Sequence, residues 1–177
     1  MNIFILNTGR CGSTTFIQAC RHITNYSAAH ESRIQLIGDR RLAYPQNHIE
    51  ADNRLSWLLG RLEQTYGDGA FYVHLRRDAD ATSESFARRE EMGIMKAYRE
   101  GILLGGQNGH SALDFAADYI ETVESNIELF LRNKRHRMTF SLENAKENFS
   151  HFWEWIGAEG DREQALMEWD THHNASA

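Results

Sequence analysis

The chain has 177 residues, a length that supports one domain with a substantial core but not two ordinary domains. Its formal net charge of −6 argues against a nucleic-acid-binding protein, which normally carries a basic face that neutralises phosphates. We therefore expect a single domain over residues 1–177, no nucleic-acid partner, and only a local site for any anionic ligand.

The cysteine content and the first residues predict a cytoplasmic protein. Cys11 and Cys20 are the two cysteines, and Cys11 lies in a glycine-containing stretch where a disulfide would distort the backbone. Reduced thiols are therefore expected. Met1 leads directly into Asn-Ile-Phe-Ile-Leu, without a basic region or a long apolar stretch, and no later segment approaches membrane-spanning length. We expect no membrane span.

Short apolar runs alternate with helical patterns in the first half of the chain. Residues 2–7 predict a buried first strand, and a helix is expected from about Ser13. Residues 70–75 predict a second strand, followed from about Asp80 by a polar helix that the glycine-rich segment 101–109 interrupts. Between the two strands, one helix closed by a turn at 67–69 is expected from an apolar stripe of Leu55, Leu58, Leu59, Leu62 and Tyr66.

The second half continues the same alternation. Apolar residues at helical spacing over 115–131 predict another helix, and residues 137–141 predict a short strand. A closing helix should contain Phe149 and Phe152 and end before Gly157. Strands that alternate with helices predict an α/β domain with a mainly parallel central sheet, in which ligands bind beyond the carboxyl ends of the strands.

The loop after the first strand carries the clearest chemical signal. It contains two glycines, Arg10 and three consecutive hydroxyl residues at 13–15, between a strand and the start of a helix. Such a loop presents backbone N–H groups and a helix N-terminus to an anion, so phosphate or sulfate is the expected occupant. The alternative is a tight turn in which Ser13 caps the helix. The Gly-Lys-[Ser/Thr] of ATP-binding loops is absent.

A second anion motif follows the second predicted strand. The strand leads to Arg77, and Ser85 comes eight residues later. An arginine at a strand end and a serine early in the next helix can converge on one phosphate. Arg88 and Arg89 are interpreted as solvated charges, balanced by Glu84, Glu90 and Glu91.

Together the two motifs resemble the family of sulfotransferases that use PAPS (3′-phosphoadenosine 5′-phosphosulfate). Gly-Arg-Cys-Gly-Ser-Thr-Thr-Phe at 9–16 is similar to the family's 5′-phosphosulfate loop, whose forms include Pro-Lys-Ser-Gly-Thr-Thr-Trp. The spacing from Arg77 to Ser85 is similar to that of the family's 3′-phosphate motif, Arg-Asp-Pro followed by five residues and Ser. The resemblance covers residues 2 to about 90, and more weakly the closing helix.

The resemblance implies a three-layer, P-loop NTPase-like α/β fold with helices on both sides of the sheet. It implies transfer of the sulfuryl group of PAPS to a hydroxyl or amine, with release of PAP (3′-phosphoadenosine 5′-phosphate). The acceptor would be a small molecule, a carbohydrate or a lipid. The donor-binding residues that it implies are Gly9, Arg10, Cys11, Gly12, Ser13, Thr14, Thr15, Arg77 and Ser85.

The resemblance also implies which residues would act in catalysis. Arg10 would neutralise charge on the bridging oxygen, and a carboxylate or a histidine would remove the acceptor proton. Glu31 is favoured as this base because it follows the first helix, and a further short strand, at the spacing of the family members that use a glutamate; His48 is the alternative. No metal site is predicted, since the pair of His48 and Glu50 lacks a suitably spaced third ligand. His172 and His173 are assigned to a C-terminal tail.

Two other functions stay open at this point. One is an ATP-dependent P-loop kinase acting on a small molecule or a nucleotide, and the other is a catalytically inactive nucleotide-binding protein of the same fold. The chain is short for a sulfotransferase, so the segments that shape the acceptor pocket in the family are expected either to be trimmed or to be supplied by a second subunit in a homodimer.

Overall fold

The structure, a computed structural model, describes residues 1–171 and is organised around one sheet. Its strands are β1 (Ile3–Leu6), β2 (Ser27–His30), β3 (His48–Ala51), β4 (Phe71–Arg76) and β5 (Arg137–Ser141). They lie in the order β2-β3-β1-β4-β5, and every neighbouring pair is parallel. All carboxyl ends therefore meet at one edge of the sheet, the edge that binds ligands in such folds.

Helices connect these strands and cover both faces of the sheet. Within residues 1–171 they are α1 (Ser13–Cys20), α2 (Leu59–Thr65), α3 (Ala79–Ala87), α4 (Gly93–Ala97), α5 (Ala112–Leu131), α6 (Ala145–Trp155) and α7 (Arg162–Met167). A π-helical turn, Tyr98–Ile102, extends α4. In this described part of the chain, no helix is long and apolar enough to cross a membrane.

The core is divided by the sheet into two apolar clusters. Because side chains alternate across a strand, Ile3 and Ile5 of β1 pack with α1, α6 and α7, whereas Phe4 and Leu6 pack with α2, α3 and α5. All four residues are fully buried. This arrangement confirms the expected three-layer α/β fold with helices on both sides of a parallel sheet.

The predicted strands at 2–7, 70–75 and 137–141 are confirmed, as is a helix that starts at Ser13. The expected helix over 55–66 is instead a 3₁₀ turn at Asn53–Trp57 followed by α2, and the polar helix after β4 ends at Ala87. β3 carries no apolar run, since His48 and Glu50 are polar, yet the strand is buried along its whole length. His172 and His173 lie outside the described residues.

Candidate active site

The loop between β1 and α1 has a backbone that few residues other than glycine can adopt. Gly9, Arg10 and Gly12 all have positive φ angles, of 94°, 61° and 84°. A Cβ added at Gly12 would also lie 2.7 Å from a methyl group of Leu142. The two glycines therefore permit a tight curve that closes against the rest of the fold.

This curve leads directly into the N-terminus of α1. The helix begins at Ser13, and Gly12 precedes it without any side chain that caps the first N–H groups. By contrast, the side chain of Asp78 caps the N-terminus of α3, and a capping box that includes Ser111 caps the N-terminus of α5. Ser13 is the first helical residue and not the cap that the alternative interpretation requires. The first turn of α1 therefore offers backbone donors to an anion.

The structure brings the two predicted anion motifs together. Arg10 donates from Nε to the hydroxyl oxygen of Ser85 at 3.0 Å, and Arg77 donates from Nη1 to the carbonyl oxygen of Arg10 at 3.2 Å. Burial lowers the pKa of Arg10, and the neighbouring charges of Arg89, Arg77 and Arg88 lower it further. Four guanidinium groups thus surround one loop in a protein whose net charge is −6, and their mutual repulsion favours an anionic ligand.

A cavity of about 360 Å³ opens beside the loop and includes Gly9, Arg10, Ser13, Thr14 and Glu31 in its walls. All five were predicted to be site residues. Glu31 lies just beyond the carboxyl end of β2, where its φ angle is 51° and its side chain is 30 % exposed. Glu31 therefore forms part of the cavity wall beside the loop.

Two contacts position the end of β2 against the loop and β3. His30 forms a hydrogen bond between its Nε2 and the hydroxyl of Ser13, 3.0 Å apart. Arg54 pairs with Glu31, with 2.9 Å between Nη1 and Oε1. Both His30 and Arg54 line the cavity. Sequence reasoning missed these two residues, although the proximity of His30 to Glu31 in the chain was a signal for the first.

His48, the alternative base, is not brought to this cavity. It begins β3 at the opposite edge of the sheet, about 10 Å from the carboxyl end of its own strand at 3.3 Å per residue. The ring is 6 % exposed, with Nδ1 2.8 Å from the hydroxyl of Ser27 and Nε2 2.9 Å from Glu50. Glu50 in turn accepts two hydrogen bonds from Ser32, which follows Glu31. This placement makes His48 part of a buried network that supports the turn carrying Glu31.

Two residues of the predicted donor loop direct their side chains inward. Cys11 is 1 % exposed and donates from Sγ to the carbonyl of Gly9 at 3.1 Å, and burial raises the pKa of its thiol to about 11. Thr15 is 7 % exposed and packs in α1. Neither residue lines the cavity, so neither side chain is placed to meet an anion there.

Arg89 was interpreted from the sequence as a solvated surface charge, and the structure overturns that interpretation. Its side chain lines the cavity, and its Nη1 is buried without a hydrogen-bond partner. The expected carboxylate partners Glu90 and Glu91 pair with Arg99 instead. Arg88 is exposed, as expected.

A second cleft, of about 540 Å³, lies along β5 and is lined by residues such as His74, Arg137 and His151. It contains none of the predicted site residues. His74 is 3 % exposed and lies 3.1 Å from a carboxylate oxygen of Glu124. The cavity at the phosphate loop is therefore the candidate active site.

The parallel sheet, its strand order and the helices on both faces define a sulfotransferase-like α/β fold. Two solved structures are similar to this chain over nearly its whole length. The sulfotransferase domain from the curacin biosynthetic pathway matches with a TM-score of 0.63 and 15 % sequence identity, over 97 % of this chain and 78 % of that domain. Mouse sulfotransferase SULT7A1, solved in complex with PAP, matches with a TM-score of 0.56 and 12 % identity, over 96 % of this chain and 63 % of the mouse protein.

At these identities the likeness establishes the fold. No protein-family model matches the sequence, and no curated protein matches it either. The substrates and the reaction of this chain therefore have to be argued from its own residues.

Proposed function

We propose that this protein transfers the sulfuryl group of PAPS to a hydroxyl or amine acceptor and releases PAP. The observation that carries the proposal is the contact between the two anion motifs: Arg10 joins Ser85, and Arg77 holds the backbone of Arg10. A donor with a phosphosulfate at one end and a 3′-phosphate at the other needs two adjacent anion sites. The PAP complex of the mouse protein supports the same class of ligand.

The residues at the loop fit such a donor. The uncapped first turn of α1 and the hydroxyls of Ser13 and Thr14 would hold the 5′-phosphosulfate, and Arg77 and Ser85 would hold the 3′-phosphate. The backbone of the loop from Gly9 to Thr15 would complete the cradle. The donor supplies the activated sulfuryl group, and the chain supplies charge and orientation.

Arg10 and Glu31 have separate tasks in this proposal. Glu31 would take the proton that the acceptor loses as its oxygen or nitrogen bonds to sulfur, since its carboxylate lies at the cavity. Arg10 would neutralise the charge left on the bridging oxygen as the original sulfur–oxygen bond breaks. His48 would act through structure, because its buried network supports the turn after Glu31.

The acceptor would be a small molecule, a carbohydrate or a lipid, because the cavity wall beyond the loop is partly apolar. Phe86, Met92, Ile94 and Met95 contribute to that wall. We further propose that residues 1–177 form a single domain, which the one sheet with two apolar faces in residues 1–171 supports, and that this domain acts in the cytoplasm. A homodimer would extend the acceptor pocket.

Thermal unfolding with PAP, PAPS, AMP and ATP tests the proposal. PAP at about 100 times its Kd should add about 2.7 kcal/mol to the free energy of unfolding, or about 5–10 °C in Tm for a chain of this size. AMP differs from PAP only in lacking the 3′-phosphate and should stabilise much less. A larger shift with ATP than with PAP would favour the kinase, and PAP binding without sulfation of any acceptor would indicate an inactive nucleotide-binding protein.

A further inference from the structure

Arg89 is a cation in the candidate active site that the donor motifs leave unassigned. It lies just beyond α3, four residues after Ser85, and its side chain lines the cavity. Its Nη1 is buried without a partner, and no ion pair joins the side chain to a carboxylate of residues 1–171. Burial of an unpaired charged nitrogen is costly, and a protein retains such a group where a ligand satisfies it.

The charged residues around Arg89 also indicate that an anionic ligand would pair with it. Of the neighbouring charges that lower the pKa of Arg10, that of Arg89 has the largest effect, and both side chains line the cavity. Glu31 is the carboxylate of that wall, and it is already paired with Arg54. Glu90 and Glu91, which follow Arg89 in the chain, form ion pairs with Arg99. Within residues 1–171, the carboxylate of the cavity wall and those next to Arg89 in the chain are therefore paired with other arginines.

The donor would supply the missing negative charge. Each phosphate monoester carries about −1.5 to −2 at neutral pH, so PAP brings about −3 to −4. Four guanidinium groups, those of Arg10, Arg77, Arg88 and Arg89, lie around the loop and roughly match that value. Arg88 is exposed and contributes at long range, whereas Arg89 lines the cavity itself.

We propose that Arg89 is a further donor-binding residue whose guanidinium pairs directly with the anionic oxygens of PAPS or PAP. The inference rests on the proposed function and adds to it a contact outside both sequence motifs. Arg89 then shares the donor's charge with Arg10, and donor binding satisfies a nitrogen that is otherwise buried without a partner.

Isothermal titration of PAP into Arg89→Ala, Arg89→Met and Arg88→Ala tests this assignment. Loss of a charge-assisted pair should raise the Kd of both Arg89 variants about 10- to 100-fold. Arg88→Ala removes the same formal charge from the neighbouring exposed position and should change the Kd less than about 3-fold. Arg89→Met keeps an apolar stem of similar length, so it guards against a loss of packing.

The unliganded proteins give a second readout. Since Arg89 repels Arg10 and lacks a partner, both Arg89 variants should have a Tm equal to or above that of the unsubstituted protein in the absence of PAP. Equal PAP affinity for the Arg89 variants and the unsubstituted protein would overturn the assignment, and so would equal losses for Arg89→Ala and Arg88→Ala. Failure of the unsubstituted protein to bind PAP would instead overturn the proposed function itself.

Discussion

Ser85→Ala probes the recognition of the 3′-phosphate most directly. The hydroxyl is 3 % exposed, lies 3.0 Å from Nε of Arg10, and is free to donate its own proton to a phosphate oxygen. A hydrogen bond to a charged group contributes about 1.5–3 kcal/mol, so its loss should raise the Kd for PAP about 10- to 150-fold. The Kd for AMP, which has no 3′-phosphate, should change less than about 3-fold.

Isothermal titration of PAP and AMP into the same preparations measures both constants. Ser83→Ala is the matched control, because Ser83 lies on the same helix and is also buried, at 6 % exposure, but belongs to neither motif. The decisive quantity is the ratio of the Kd for AMP to the Kd for PAP. This ratio should fall strongly in Ser85→Ala and should stay unchanged in Ser83→Ala. If PAP and AMP weaken by the same factor in Ser85→Ala, the assignment of the 3′-phosphate site is wrong.

Other residues of the site give three further predictions. Gly12→Ala should abolish stabilisation by PAP in a thermal shift assay, because φ is 84° there and the new methyl would meet a leucine side chain; an unchanged shift would refute the role of this curve. Burial raises the pKa of the Cys11 thiol to about 11, so the thiol should resist a disulfide reagent at pH 8, and rapid modification in the native protein would contradict this. The contribution of this thiol to the free energy of unfolding should fall as the pH rises from 9 through 11. Glu31→Gln should lower kcat about 10²- to 10⁴-fold at constant PAP affinity, whereas His48→Asn should mainly lower Tm; the reverse pattern would make His48 the base.

Local sequence determined the parts of this protein that depend on neighbouring residues. The apolar run of β1 and the positive-φ glycines that follow specify a strand and a tight loop wherever they occur, because backbone preference and burial act over a few positions. The same holds for the spacing of Arg77 and Ser85, which places the arginine just after β4 and the serine near the end of the second turn of α3. These features sufficed to predict the α/β fold and the tight loop after β1, and the binding of a donor by that loop stays a prediction.

Tertiary structure decided which charged residues share a cavity. The sequence favoured Glu31 as the base and kept His48 as the alternative; in the fold His48 begins β3 at the amino ends of the strands, whereas Glu31 follows β2 at their carboxyl ends. Arg89 looked like a surface charge because its carboxylate neighbours in the sequence were close, yet the fold pairs those with Arg99. β3 was missed because its polar residues find partners in β2, in the turn beyond β2 and in each other. Burial and charge pairing are set by contacts between distant segments, and such contacts leave no periodic trace in the sequence.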